Sequence, residues 1–200
     1  MNLLKELPPP VLAVLREFRP CEFSTLDKSG TPVTWPVSPW IDVERGQLMI
    51  TTSIALPEKA YNVRRNGRVA LSFSEPKASR LTNPPIVVVQ GDAVASKQIY
   101  TWSDELAELW PMLYRRQPAS MMYGSNWLTR KLFDWYYMRL LIHVTPRSIL
   151  WWENGDFTQA PQMLYAPSVV EIEGSEPEKS VGLTTVQRND AMVREAVYVG

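Results

Sequence analysis

Residues 21–43, CEFSTLDKSGTPVTWPVSPWIDV, contain two extended segments that are joined by a turn. The first segment, CEFSTL, alternates apolar and polar residues as a strand does, and DKSG is typical of a turn. The second segment continues extended although it carries Pro32, Pro36 and Pro39. Because proline has no N–H to donate to a neighbouring strand, this segment must be an edge strand, contain a bulge, or leave its backbone free for another contact.

The sequence on either side of this stretch predicts more strands than helices. Strands are predicted at ERGQLMITT, GRVALSFSE and IVVVQGDAVA, and a final strand pair at RLLIHVTP and SILWWENGD. Helices are predicted over residues 8–18, 57–66, 102–117 and about 120–136. Ser103 or Thr101 is the expected N-cap of the third helix, and Pro111 is expected to kink or divide it. Because short turns link most strands, the pattern favours a mainly β (α+β) fold, a closed antiparallel barrel with helices at its ends.

The composition limits the classes of protein to consider. The 200 residues include 21 Lys and Arg and 21 Asp and Glu, so no net charge attracts a nucleic acid or an anionic membrane. No segment approaches the ~20 apolar residues of a membrane span, and the first residues lack the basic start and apolar core of a signal peptide. The lone Cys21 excludes an internal disulfide and is expected in the core. We therefore expect a soluble, cytoplasmic protein.

The chain changes character at about residue 160. Residues 1–160 are expected to form one domain, with a helical insert at about 101–136. Residues 161–200 have fewer aromatic side chains and only weak periodicity. This last part is expected to be a loosely packed arm, a flexible terminus, or a segment that wraps a partner subunit.

Polar residues are concentrated where the strand QLMITTS ends. Thr51, Thr52 and Ser53 offer hydroxyl groups, and Pro57 opens a helix whose first-turn N–H groups carry a partial positive charge. Lys59 lies in that turn. Hydroxyls, amides and an ammonium together are typical of a phosphate site, although a threonine-rich strand end before a solvated helix gives the same pattern.

The proline-punctuated segment PVTWPV precedes these residues in the sequence. Its backbone groups can lie against a flat polar heterocycle instead of another strand. A phosphate site beside a site for a flat ring predicts a nucleotide-like cofactor.

Four stretches, in order, resemble the FMN-binding split barrel of the pyridoxamine 5′-phosphate oxidase-like superfamily, which includes flavin- and F420-dependent reductases. They are FSTLDKSGTPVTWPVSPWID, GQLMITTS, EKAYNVRRNGRVALSFSE and IVVVQGDAVA. Together they cover about residues 21–95, and RLLIHVTPRSILWWENGD extends the resemblance more faintly. The resemblance implies an antiparallel split β-barrel with peripheral helices and a helical insert.

The resemblance also implies which residues bind the cofactor. They are Thr34, Trp35, Pro36, Val37, Thr51, Thr52, Ser53, Lys59, Asn62, Arg64 and Trp152. The first four hold the isoalloxazine ring through their backbone, the next three meet the ribityl chain and phosphate, and Lys59 neutralises the phosphate. Asn62 and Arg64 are secondary candidates. Trp152 is expected near the ring, from the same subunit or its partner.

Members of the superfamily are typically homodimers with cofactors at the interface, so a homodimer is implied here. The segment WENGDFTQAP carries no cation, whereas pyridoxamine phosphate oxidases have a basic segment there that grips the substrate phosphate. The vitamin B6 reaction is therefore not implied. The helical insert is expected to form a lid on the substrate side.

Other chemistries find less support in the sequence. His143, the only histidine, is expected to be a solvated or interface residue, and no metal site is expected. The cations of VRRNGR fit either the end of a helix or an additional anion site for NADPH or the acidic tail of F420. No carboxylate pair is predicted to act as general acid and base, so no catalytic residue is assigned.

The function expected from these observations is that of an FMN-dependent oxidoreductase. It would transfer hydride or electrons between a reduced nicotinamide and a small organic substrate. Two alternatives remain open at this point: an F420-dependent reductase, and a flavin- or haem-binding protein without turnover.

Overall fold

The protein is built around one sheet of eight antiparallel strands in the computed structural model, which describes residues 1–116, 118, 131 and 134–166. The strands are β1 (Cys21–Leu26), β2 (Pro32–Val37), β3 (Trp40–Asp42), β4 (Gln47–Ser53), β5 (Arg68–Phe73), β6 (Ile86–Ala95), β7 (Arg139–Trp152) and β8 (Gln162–Tyr165). Their order in the sheet is β2-β1-β5-β6-β7-β4-β3, and β8 pairs with β7. The predicted α+β split barrel is confirmed, because the sheet is curled and antiparallel.

The strand β2 lies at one end of the sheet and pairs with β1 alone. In this register Pro32 lies opposite Leu26 and Pro36 opposite Glu22. The prolines therefore occupy an edge strand, which is one of the arrangements that the sequence allows. Because β3 forms the other end, the sheet is split and does not close as the strand pattern alone predicts.

The final strand pair predicted from the sequence is wrong, because β7 runs without a break from Arg139 to Trp152. Pro146, which ends the first predicted segment, does not interrupt the strand. It lies instead opposite Gly91, where the register between β6 and β7 shifts, while Gln90 lies opposite Ser148. A β-bulge places one extra residue in a strand and accommodates a proline without ending it.

Gly91 lies at this bulge because no side chain fits there. A β-carbon added to Gly91 would be 2.5 Å from the backbone oxygen of Thr145. Gly91→Ala is therefore expected to lower the free energy of unfolding by about 1–3 kcal/mol, as overpacking does elsewhere. Urea denaturation checks this, with Val94→Ala as the control, since Val94 is exposed on the same strand. Equal stability of Gly91→Ala and the unmodified chain would contradict the close approach of Gly91 to the Thr145 backbone.

The helices are α1 (Pro9–Glu17), α2 (Glu58–Arg65), α3 (Asp104–Arg116) and α4 (Asp134–Tyr137). As predicted, α1 begins with prolines and turns its apolar residues to the core, where Phe18 packs edge-on against Phe73. The Ser103 hydroxyl accepts the Leu106 N–H at the start of α3, so Ser103 is the cap, and the helix continues through Pro111. Most of the helix predicted over 120–136 lies outside the described residues.

The core fills the inside of the curled sheet. Its largest fully buried side chains include Phe18, Phe23, Phe73, Leu4, Leu15, Leu48, Ile50 and Leu71. Cys21 is buried in the same core, as expected. The strand β8 joins the sheet from within the predicted C-terminal arm, and residues 167–200 of that arm lie outside the described part of the chain.

Candidate functional site

A cavity of about 370 Å³ lies at the split of the sheet. It is bounded by the end of β2, the end of β4, the start of β7 and residues of α2, α3 and α4. The residues that line it are Pro36, Val37, Ser38, Thr51, Thr52, Ser53, Leu56, Lys59, Leu109, Leu113, Trp135, Tyr136 and Arg139. Six of the eleven residues expected to bind a cofactor are among them.

The pairing of β4 with β7 builds one wall of this cavity. In their register Thr51 lies opposite Leu141 and Ser53 opposite Arg139. The backbone of Arg139 is also fixed by hydrogen bonds with Tyr100 in both directions, each of 2.8 Å. The polar end of β4 and an arginine that is distant in sequence are thus placed side by side.

Lys59 projects from the first turns of α2 to this wall. Its Nζ donates to the Thr52 hydroxyl at 3.0 Å and lies 5.2 Å from the centre of the Trp35 ring. Burial lowers the pKa of Lys59; the adjacent Glu58 raises it, and Arg139 lowers it. Since an ammonium has three N–H groups, two remain for another acceptor.

The hydroxyls of Thr52 and Ser53 hold the local chain in shape. Thr52 donates to the Leu56 carbonyl at 2.6 Å, and Ser53 donates to the Trp135 carbonyl at 2.8 Å while accepting the Ala55 N–H. These bonds fix the loop between β4 and α2. The cavity therefore has a preformed polar wall. The hydrogen-bond donors that remain available to a ligand belong mainly to cationic side chains.

Arg139 is the second cation of the cavity and is only 7% exposed. Its guanidinium lies over the rings of Trp110 and Tyr136, with distances of 4.9 and 4.3 Å to their centres. Burial lowers the pKa of Arg139, and Tyr136 raises it. Burial also raises the pKa of the nearby Tyr114 to about 12, so this phenol is neutral at pH 7 and does not balance the charge.

Three buried side-chain donor atoms have no hydrogen-bond partner among the described residues, and all belong to this region. They are Nε and Nη2 of Arg139 and Nε1 of Trp35. A buried donor without an acceptor costs about 1–3 kcal/mol, more for a charged group. Among the described residues that line the cavity, none is Asp or Glu. The arrangement therefore fits an anionic ligand rich in acceptor atoms, and a phosphate monoester dianion such as that of FMN meets this requirement.

The other residues predicted to bind the cofactor do not line this cavity. Trp35 lies beside it, under Lys59, and Thr34 is bonded to the Ser24 hydroxyl on β1. Asn62 is buried and bonds the Thr25 hydroxyl at 2.9 Å, which ties α2 to β1.

Two further predicted residues lie elsewhere. Arg64 donates to the Ser96 carbonyl and stacks on the Tyr61 ring. Trp152, at the end of β7, packs against Phe157 with ring centres 5.2 Å apart. The cofactor-binding roles assigned to all of these residues stay predictions.

Arg139 is the charged residue of the cavity that the sequence analysis did not assign to the site. Its signal is the sequence DWYYMRLL, in which one cation stands between a run of aromatic residues and an apolar strand. An arginine is almost never fully buried unless it is paired.

His143 has a different environment from Arg139 although both lie on β7. Its Nε2 is 3.2 Å from both Glu105 carboxylate oxygens, and Arg45 bonds the same carboxylate at 2.9 Å. This cluster joins α3 to the sheet. Within the described residues, no group of three or more His, Cys, Asp or Glu side chains is placed to hold a metal ion.

No known family profile matches the sequence, and no curated protein sequence matches it. Among the residues whose placement is described, no helix is both long and apolar enough to cross a membrane.

Solved structures do resemble this chain. A conserved hypothetical protein of Mycobacterium tuberculosis has a TM-score of 0.53 at 15% identity, over 89% of this chain and 94% of that one. An F420 reductase has a TM-score of 0.48 at 20% identity, over 72% and 98%. A protein of the pyridoxinephosphate oxidase family from Clostridium acetobutylicum has a TM-score of 0.43 at 9% identity, over 74% and 85%. At these identities the likeness concerns the fold alone.

Proposed function

We propose that this protein is an FMN-dependent oxidoreductase of the pyridoxamine 5′-phosphate oxidase-like class. In this proposal it transfers hydride or electrons between a reduced nicotinamide and a small organic substrate. The observation that carries the proposal is the cavity whose described lining residues include two cations, Lys59 and Arg139, and no carboxylate, together with the unpartnered donors of Arg139. A dianionic phosphate supplies the acceptors that these donors lack.

The residues in and beside the cavity divide into three groups by the part of FMN that each would contact. Lys59 and Arg139 are charged and would hold the phosphate, and the hydroxyl-bearing end of β4, Thr51–Ser53, would lie along the ribityl chain. The unpaired edge of β2 carries Trp35 and Pro36 and would lie along the ring. Leu109 and Leu113 of α3 give this side of the cavity an apolar cover.

FMN, when bound, supplies the capacity to accept and donate electrons or hydride. The protein then has to bind the cofactor, orient it and keep water away from it. This division of labour agrees with the part of the lining that the structure describes, in which no Asp, Glu or His is placed to move a proton.

A homodimer with the cofactor at its interface is part of the proposal. Leu56 and Trp135 line the cavity and are 61% and 40% exposed. Large apolar side chains that are exposed at the rim of a binding cavity are typical of a surface that a second subunit covers. Trp152, from the same subunit or its partner, would then lie near the ring.

The test is to identify the small molecule that copurifies with the protein. We expect a yellow preparation that releases FMN on denaturation and oxidises NADH or NADPH with a suitable acceptor. If the protein is colourless and binds only F420, the cofactor of this proposal is the deazaflavin F420 and not FMN. Bound FMN with no oxidation of either nicotinamide by any acceptor would contradict the enzymatic part of the proposal.

The affinity for FMN is expected to depend on pH in a defined direction. Between about pH 5 and 7 it should rise, because the phosphate loses its second proton near pH 6. At alkaline pH it should fall earlier than for an ordinary lysine site, since burial lowers the pKa of Lys59. Fluorescence titrations across this range measure both limbs, and riboflavin, which has no phosphate, is the control. An FMN affinity that is constant from about pH 5 to 7 would contradict a dianion in the cavity.

A further inference from the structure

A second cavity, of about 480 Å³, lies beside the C-terminal turn of α3. We call it the arginine cleft, and its lining residues are Arg16, Glu17, Arg19, Arg80, Met112, Arg115 and Arg116. Five of these seven residues are arginines and one is acidic. It is distinct from the Lys59 cavity, which uses Leu109 and Leu113 of the same helix.

The cleft is assembled from three parts of the chain that hydrogen bonds hold together. The Arg19 N–H donates to the Ala78 carbonyl at 2.7 Å, which fixes the loop that precedes Arg80. The Arg116 guanidinium donates to the Pro39 carbonyl at 3.1 Å and to the Arg16 carbonyl. The cleft is therefore already formed by the protein's own contacts.

The positive charge of the cleft is not balanced by ion pairs. Among the described residues, none of the five arginines forms a salt bridge, although the chain forms several elsewhere. Burial lowers the pKa of Arg116, which Glu17 raises and the adjacent Arg115 lowers. The sequence that follows α3, residues 117–133, contains no Asp or Glu. Gathering like charges in this way is unfavourable without a counter-ion.

Helix electrostatics explain only part of this cluster. Arg16 lies in the last turn of α1, and Arg115 and Arg116 lie in the last turn of α3, where cations are favoured. Arg19 and Arg80 lie outside any helix. Their presence in the same cleft needs another explanation, and an anionic ligand provides one.

We infer that the arginine cleft binds a small molecule that carries several adjacent negative charges, either a condensed phosphate or a row of carboxylates. Guanidinium groups recognise both kinds of anion through paired N–H donors. The volume of the cleft falls within the range of small-molecule sites. This site does not depend on the FMN proposal, because none of its residues lines the Lys59 cavity.

The probes for this site are inorganic tripolyphosphate and citrate, titrated by calorimetry at low salt into the full chain. Arg19→Gln/Arg80→Gln removes two exposed charges from the cleft, and Lys28→Gln/Lys97→Gln removes two exposed charges elsewhere. We expect the cleft variant to raise the Kd of the better probe about tenfold or more, and the control to change it less than about twofold. Binding should persist in Lys59→Ala, which separates the cleft from the proposed FMN site.

The tighter of the two probes identifies the class of ligand, phosphate or carboxylate. An equal loss of binding in the two double variants would show a general charge effect and overturn the site. So would the absence of saturable binding of either probe, or loss of all binding in Lys59→Ala with the cleft intact.

Discussion

Replacing Arg139 by methionine is expected to stabilise the protein without cofactor and to weaken its binding of FMN. Arg139 is buried, and its Nε and Nη2 atoms have no partner in the described part of the chain. A methionine of similar length removes the cost of burying these donors and the charge. It also loses the contacts of the guanidinium with Trp110 and Tyr136, which are worth about 1–2 kcal/mol.

The net gain in the free energy of unfolding is expected to be about 1 kcal/mol or more, because the cost of burying a charge that has no carboxylate partner among the described residues exceeds the cation–π term. The loss in FMN binding is expected to be roughly 2–5 kcal/mol, the range for removing one partner of a buried charged hydrogen bond. Opposite signs for stability and affinity are typical of a residue kept for binding.

Urea denaturation without ligand and fluorescence titration with FMN measure the two effects of Arg139→Met. Arg147→Met is the matched control, since Arg147 lies on the same strand, is half exposed and pairs with Asp92 at 3.2 Å. We expect small changes in both quantities for the control. A destabilised Arg139→Met with normal FMN affinity would show that Arg139 is structural.

Lys59→Ala is expected to weaken FMN by roughly 1.5–3 kcal/mol and riboflavin by much less. The ammonium of Lys59 has two N–H groups beyond its bond to Thr52, and it is partly buried, so its contact with a phosphate is charge-assisted. Riboflavin has the same ring and ribityl chain without the phosphate. The difference between the two ligands therefore isolates the contact of interest.

The comparison of FMN with riboflavin also guards against a general loss of structure in Lys59→Ala. Lys77→Ala, at an exposed lysine away from the cavity, is the control for the loss of a charge. Equal losses for FMN and riboflavin would remove Lys59 from the phosphate site.

Local patterns in the sequence were enough to predict the features that depend on a few neighbouring residues. The prolines of β2 allowed an edge strand, a bulged strand or a backbone free for another contact, and β2 is an edge strand. Thr51, Thr52, Ser53 and Lys59 were grouped because a strand end and a helix start meet there, and they line one cavity.

Features that depend on distant residues were not predicted. Arg139 reaches the cavity only because β4 and β7 pair with Ser53 opposite Arg139, across 86 residues of sequence. The continuity of β7 through Pro146 depends on the bulge opposite Gly91, which is also distant in the sequence. The register between strands that are far apart in the chain is not encoded in either strand alone.

The direct measurement of the central claim is a crystal structure of the protein with FMN. The proposal predicts phosphate oxygens within hydrogen-bond distance of both Lys59 Nζ and the Arg139 guanidinium, with the ring along β2. A phosphate bound away from the Lys59 cavity, or FMN that does not bind at all, would contradict it.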